Sequence, residues 1–150
     1  MAEIYNLVEV SEALSTSGII PVERFQHLAD ESFEVVINLL PDESEHAVPG
    51  EAEIIEGIGL EYVHIPVDFA APKPEDFARF ASSMEAAQGR KIWAHCAANY
   101  RVSAFVSIYG QLYLGWSTEK AQALIDQLWQ PNDLWREFIK SELDRGHPQP

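Results

Sequence analysis

The residues best suited to chemistry are His95 and Cys96, with Arg101 five positions and Ser103 seven positions after the cysteine. A cysteine ionised to its thiolate is a nucleophile, and an arginine fork grips an oxyanion through parallel hydrogen bonds. So close together, the two can hold an anion with several oxygens and attack it. That chemistry needs further donors for the oxygens and a field that favours the thiolate. The N-terminus of a helix supplies both, because its first amides lack intrahelical partners and the positive end of the dipole lies there. In such places a Cys pKa falls from about 8.5 to roughly 3.5–7.5. A lone cysteine can instead be a small buried hydrophobe.

The flanking sequence supplies that setting. Ile92-Trp93-Ala94 is a short apolar run that reads as a strand, and the segment from Ala97 or Ala98 to about Gly115 reads as a central helix. Strand, tight loop and helix then place thiol and guanidinium at the helix start. Elsewhere, strand and helix signals alternate. Strands are expected at Ile4–Val10, Glu34–Leu40 and Glu61–Ile65, with Ser15–Gly18 as a loop. Helices are expected from Pro21, over Glu51–Ile58 and from Pro74 to Gly89. Thr118 is the expected cap of a further helix with the stripe Ala121, Leu124, Ile125, Leu128 and Trp129. A last helix carries Leu134, Trp135, Phe138 and Ile139. Alternation of this kind implies a single α/β domain over 1–150, core about 18–140. Its sheet is mostly parallel, with helices on both faces and a frayed tail at 146–150. In such sheets ligands bind beyond the carboxyl ends of the strands. The His95-Cys96 pair falls at such an end, and so does Asp68.

Composition narrows the partners. Twenty-four acidic against ten basic side chains give a formal charge of −14, which argues against nucleic acid and anionic membrane surfaces. A phosphorylated substrate would be repelled at long range, so its pocket must be locally positive. The single cysteine excludes an internal disulfide and favours a reducing, cytoplasmic compartment. No basic, apolar leader is visible at the start, and the longest uncharged run, Val102–Thr118, is too short and too polar for a membrane span. No histidine pair has metal-ligand spacing.

The stretch His95-Cys96-Ala97-Ala98-Asn99-Tyr100-Arg101-Val102-Ser103 resembles the phosphate-binding loop of the Cys-dependent protein tyrosine and dual-specificity phosphatases. Their signature is His-Cys, five residues, Arg, then Ser or Thr; here four residues separate Cys96 from Arg101, and Asn99 stands where a Gly is usual. Val36-Ile37-Asn38-Leu39 also resembles a strand of that family, as does the strand-Pro-Asp pattern ending at Asp68, 28 residues before Cys96. The resemblance covers about residues 18–116 and implies phosphomonoester hydrolysis, of aryl phosphate or phosphotyrosine type, through a thiophosphate enzyme intermediate. Cys96 would attack phosphorus, while Ala97, Ala98, Asn99, Tyr100 and Arg101 would hold the oxygens and Asp68 would protonate the leaving group. His95 would support the thiolate, and Ser103 would donate to the Cys96 sulfur, unless it bonds a helix carbonyl instead. Asp76 and Glu75 are rival acids. No metal or other cofactor is implied, and the partner would be a phosphorylated protein or small molecule. Asn99 suits a left-handed backbone. With fewer loop amides, turnover should be slow. The six-residue span from Cys96 to Arg101 is also the rhodanese length, so a sulfurtransferase is an alternative, as is a phosphate-binding pseudophosphatase.

Overall fold

The computed structural model describes residues 4–146; the remainder of the tail expected to fray, 147–150, lies outside them. The sheet has five strands in the order β1 (Val8–Ser11), β2 (Leu14–Ser17), β5 (Ile92–His95), β3 (Val35–Asn38), β4 (Glu61–His64). β1 and β2 form an antiparallel hairpin, and all other pairings are parallel. A 3₁₀ turn at Val22–Arg24 leads into α1 (Phe25–Asp30), and α2 (Glu51–Gly57) follows β3. α3 (Pro74–Ala86), α4 (Tyr100–Tyr113), α5 (Thr118–Asp126) and α6 (Asp133–Arg145) complete the chain. The expected mostly parallel α/β architecture is therefore present.

β5 lies at the centre, so both its faces are covered and all four of its residues are buried. Its alternation sorts the core. Trp93 packs with Phe25, Leu28, Val36 and Ile55 beneath α1 and α2. Ala94 and Cys96 pack with Ile37, Phe80, Phe105 and Trp135 beneath α3, α4 and α6. Phe105 sits at the hub of that face, edge-on to Phe77 and Phe80 and close to Trp135 and Phe138. Each such side chain contributes roughly 1.5–3 kcal/mol through burial. No helix among the described residues is long and apolar enough to cross a membrane.

Three expectations need correction. The segment expected as a loop at Ser15–Gly18 is mostly strand β2, paired in parallel with β5. Its small polar residues belong there because two hydroxyls find partners. Thr16 Oγ1 meets Val8 O and Asn99 Nδ2, while Ser17 Oγ donates to Gly18 O and accepts from Trp93 Nε1 at 2.8 Å. The first strand begins at Val8 rather than Ile4, since the backbone from Ile4 to Leu7 turns, with Asn6 at φ 53. Ser117, not Thr118, caps α5 by accepting from Lys120 N, and α5 ends at Asp126, leaving Trp129 beyond it.

Gly18, just past β2, touches the loop that follows β5. A Cβ there would lie 2.5 Å from Ala97 O and 3.0 Å from Ala98 Cα. Backbone cannot yield as a flexible side chain does. Gly18→Ala should cost about 1–3 kcal/mol in a denaturant titration. Gly57→Ala, with nothing within 4 Å of the new Cβ, should cost nothing measurable.

Candidate active site

The loop after β5 is shaped by where its carbonyls go. Ile19 N donates to Ala97 O at 3.0 Å, Asn6 Nδ2 to Ala98 O at 2.9 Å, and Ser103 N to Asn99 O at 3.0 Å. Ser103 Oγ donates to Tyr100 O at 3.1 Å. In a trans peptide the carbonyl of one residue and the amide of the next point oppositely. With these carbonyls held by the scaffold, the amides of Ala98, Tyr100 and Arg101 turn the other way. Neither they nor the Val102 amide have an acceptor among the described residues.

Asn99 makes this possible. It occupies the left-handed region at φ 68, ψ 12, and α4 begins at the next residue. Its side chain does not cap its own helix. Instead Nδ2 donates at 2.9 Å to both Asn6 O and Thr16 Oγ1. By contrast Ser117 and Asn132 cap α5 and α6 through their side-chain oxygens. α4 is therefore left with open N-terminal donors, where an anion is favoured.

Cys96 lies inside this turn with 0% exposure. Arg101, in the first turn of α4, is half-buried, and its Nε is buried with no hydrogen-bond partner. Its guanidinium carbon lies 5.2 Å above the Phe69 ring. Phe69 in turn packs on Tyr100, Trp129 and Trp135, and Trp135 Nε1 donates to Phe69 O at 2.8 Å. Tyr100 and Trp129 stack with ring centroids 4.5 Å apart. Asp68 precedes this anchored residue. It is exposed on the same rim, and its Oδ1 accepts from Ala70 N at 2.9 Å within its own turn. Asp76 is occupied elsewhere, since its Oδ2 accepts from Lys73 N at the start of α3, and burial holds its pKa above the usual carboxylate range.

His95, Cys96, Asn99 and Arg101 thus share one loop, and Asp68 is tied to it through Phe69. Of the two roles open to Ser103, the helix-carbonyl bond is the one present. Its proton goes to Tyr100 O, and its oxygen accepts from Trp129 Nε1 at 3.1 Å, because a residue three positions into the helix faces back over the first turn. The hydroxyl braces the loop's exit rather than bonding the sulfur.

Two residues that contact this loop and its histidine escape the sequence. Asn6 clamps the loop from the N-terminal segment, as above. Glu51, the first residue of α2, meets His95 Nε2 at 2.6 Å with both side chains 5% exposed or less. His95 Nδ1 faces Cys96 O at 3.4 Å. Both groups facing the ring are acceptors, so the imidazole links α2 to the cysteine's own peptide. Asn38 Nδ2 donates to Tyr62 Oη beside this pair. Burial above all, with the Glu51 and Asp42 carboxylates adding to it, drives the Tyr62 pKa far upward, so the phenol stays a neutral hydrogen-bonding group. A first-turn Glu has an ordinary helix-dipole explanation, so nothing in the sequence singles Glu51 out.

Among the described residues no three His, Cys, Asp or Glu side chains are grouped to hold a metal ion.

Comparison with known proteins shows the family. The family described as the phosphatase-like domain of beta-lactamase hydrolase-like proteins matches residues 6–112, and the chain belongs to it. The beta-lactamase hydrolase-like protein of Agrobacterium fabrum (strain C58) is 30% identical over 97 residues, which are 63% of this chain and 22% of that protein. The chain thus matches only about a fifth of that relative's length. A crystal structure of a candidate phosphatase (DUF442) from Shewanella putrefaciens CN-32 superposes with a TM-score of 0.86. It is 33% identical, over 96% of this chain and 95% of that one. The active form of Tk-PTP shares the fold at a TM-score of 0.79 and 19% identity, over 93% of this chain and 97% of its own.

Removing one partner of a buried hydrogen bond leaves the other unsatisfied. Glu51→Ala should therefore lower stability by about 1–3 kcal/mol in a denaturant titration. Glu51→Gln, which keeps an acceptor for His95, should lose clearly less.

Proposed function

We propose that this chain hydrolyses phosphomonoesters through Cys96. The observation that carries the reading is the uncapped start of α4, wrapped around a buried cysteine and faced by an arginine whose Nε has no partner. Family membership supports phosphatase chemistry. The nucleophile and the substrate class are our own reading.

In this mechanism the Cys96 thiolate attacks phosphorus. An S–P bond forms as the bond to the leaving oxygen breaks. The loop amides and Arg101 hold the remaining oxygens, so charge developing there meets donors already in place. Asp68 gives its proton to the leaving oxygen. Water then attacks the thiophosphate, yields its proton to Asp68 and releases phosphate with the thiolate restored. Phe69 and the Tyr100–Trp129 stack stand beside Arg101, and flat aromatic faces suit an aryl leaving group such as phosphotyrosine.

Cys96→Ser should abolish phosphate release from p-nitrophenyl phosphate while the circular dichroism spectrum stays unchanged. Near-parental turnover by the variant would overturn the nucleophile. The six-residue span from Cys96 to Arg101 also fits a persulfide. Thiocyanate formed from thiosulfate and cyanide would establish the sulfurtransferase reading instead.

Asp68→Asn should lower the rate by roughly 10²–10⁴ with a phenyl phosphate, whose leaving group needs a proton, and far less with a dinitrophenyl phosphate. Equal losses with both substrates would remove Asp68 from proton transfer.

A further inference from the structure

A cavity of about 980 Å³ lies on the α1 side of the sheet, away from Cys96. Its floor is Ser15 of β2 and Trp93 of β5, and its far wall is the N-terminal segment with Tyr5 and Asn6. Its volume is at the upper end of the usual range of roughly 300–1,000 Å³ for small-molecule sites.

Two observations point to a ligand. Ser15 is 4% exposed and lines the cavity, yet its hydroxyl has no hydrogen-bond partner among the described residues. Both other hydroxyls of β2 are paired. The hydroxyl is reached from the cavity, so it offers a hydrogen bond to whatever fills that space. The second observation is charge. Glu9, Glu12 and Glu31 line the cavity with carboxylates that have no ion pair or hydrogen bond among the described residues. The cations there are engaged. Lys91 Nζ donates to Glu31 O at 2.7 Å and lies 4.3 Å above the Phe33 ring, and Arg24 has an interaction of its own. His27 lies on the α1 wall. The uncommitted charge is therefore negative. Tyr5, 53% exposed, adds a ring face that attracts cations.

The cavity also shares a wall with the loop described above. Asn6 donates to Ala98 O and accepts from Asn99 Nδ2, while Tyr5 O accepts from Gly18 N at 2.7 Å. A ligand packed against Tyr5 and Asn6 stabilises the clamped form of the loop, and each state then favours the other.

We propose that this cavity is an effector site for a small organic ammonium ion with an apolar body, coupled through Asn6 to the loop that carries Cys96. The apolar body covers Trp93 and Tyr5, the ammonium meets the carboxylates, and a hydrogen bond reaches Ser15.

The test uses tryptamine, indole and indole-3-acetate as probes, with binding followed by heteronuclear NMR shifts of the full chain. Tryptamine should bind at least tenfold more tightly than indole, and indole-3-acetate more weakly still. Glu12→Lys, on the exposed hairpin, should weaken tryptamine at least fivefold, and Ser15→Leu should abolish its shifts. Saturating tryptamine should slow alkylation of Cys96 by iodoacetamide about fivefold or more, within the usual range of coupling between sites. In Asn6→Gly, tryptamine should still bind but leave the alkylation rate unchanged. Equal binding of the three probes, or shifts that Ser15→Leu leaves intact, overturns the site. An alkylation rate indifferent to bound tryptamine in the parent chain overturns the coupling. None of these readouts depends on phosphate release, so failure of the phosphatase reading and failure of this site are told apart.

Discussion

The fixed direction of four carbonyls underlies everything the loop after β5 can do. A peptide unit has one donor edge and one acceptor edge, opposed across a trans bond. Whichever edge the scaffold takes, the other is left for the interior of the turn. Here Ile19, Asn6 and Ser103 take the acceptor edges of residues 97 to 100. The amides of Ala98, Tyr100 and Arg101 are left without an acceptor among the described residues. Gly18 permits this because only a residue without Cβ lets β2 approach Ala97 and Ala98 so closely. The strict need for glycine thus sits just past the neighbouring strand and not in the loop.

Electrostatics works on two scales here. The whole chain carries −14 and repels a phosphate approaching from bulk water. Beyond a Debye length of about 8 Å at physiological salt, that repulsion is largely screened. In the phosphate site proposed above, the amides of the turn and Arg101 would act at contact distance, where screening is weak. Local donors therefore decide binding, and global charge decides how often the ligand arrives. The same separation would let the acidic walls of the cavity behind Trp93 favour cations while the proposed site at Cys96 favours anions.

Legibility in the sequence follows the range of the interactions. The strand-loop-helix around Cys96 was readable because its chemistry is local, and so was the left-handed turn at Asn99. The helices were readable from their apolar periodicity. Strand β2 was not, because Ser-Thr-Ser is loop-like until its partners are known, and Asn99 lies 83 positions from Thr16. Glu51 and His95 are 44 positions apart, and Asn6 and Ala98 are 92 apart. No spacing rule links such pairs. Ser103 left two readings open in the sequence, and the structure selects the helix-carbonyl bond. Its spacing from Cys96 matched a familiar pattern, but the helix phase set by the shorter loop turned its hydroxyl to Tyr100 O.

The short loop and its asparagine form one solution. A left-handed residue reverses the chain in a single step, so the helix can start immediately after it. Glycine would reach that conformation more cheaply, but it could not tie the turn to Thr16 and Asn6. An ordinary asparagine cap, extended as at Asn132, would consume the helix donors that an anion needs. Asn99 in the left-handed form does neither, at a local cost. Its Oδ1 is buried without a partner, a defect worth about 1–3 kcal/mol. Arg101 Nε, two residues on, is also buried and unpartnered. Unsatisfied groups concentrate where a structure is organised for something other than stability. Among the described residues, two of the three buried side-chain atoms without a hydrogen-bond partner flank Cys96 at the start of an uncapped helix, and the third is Glu142 Oε2 in α6.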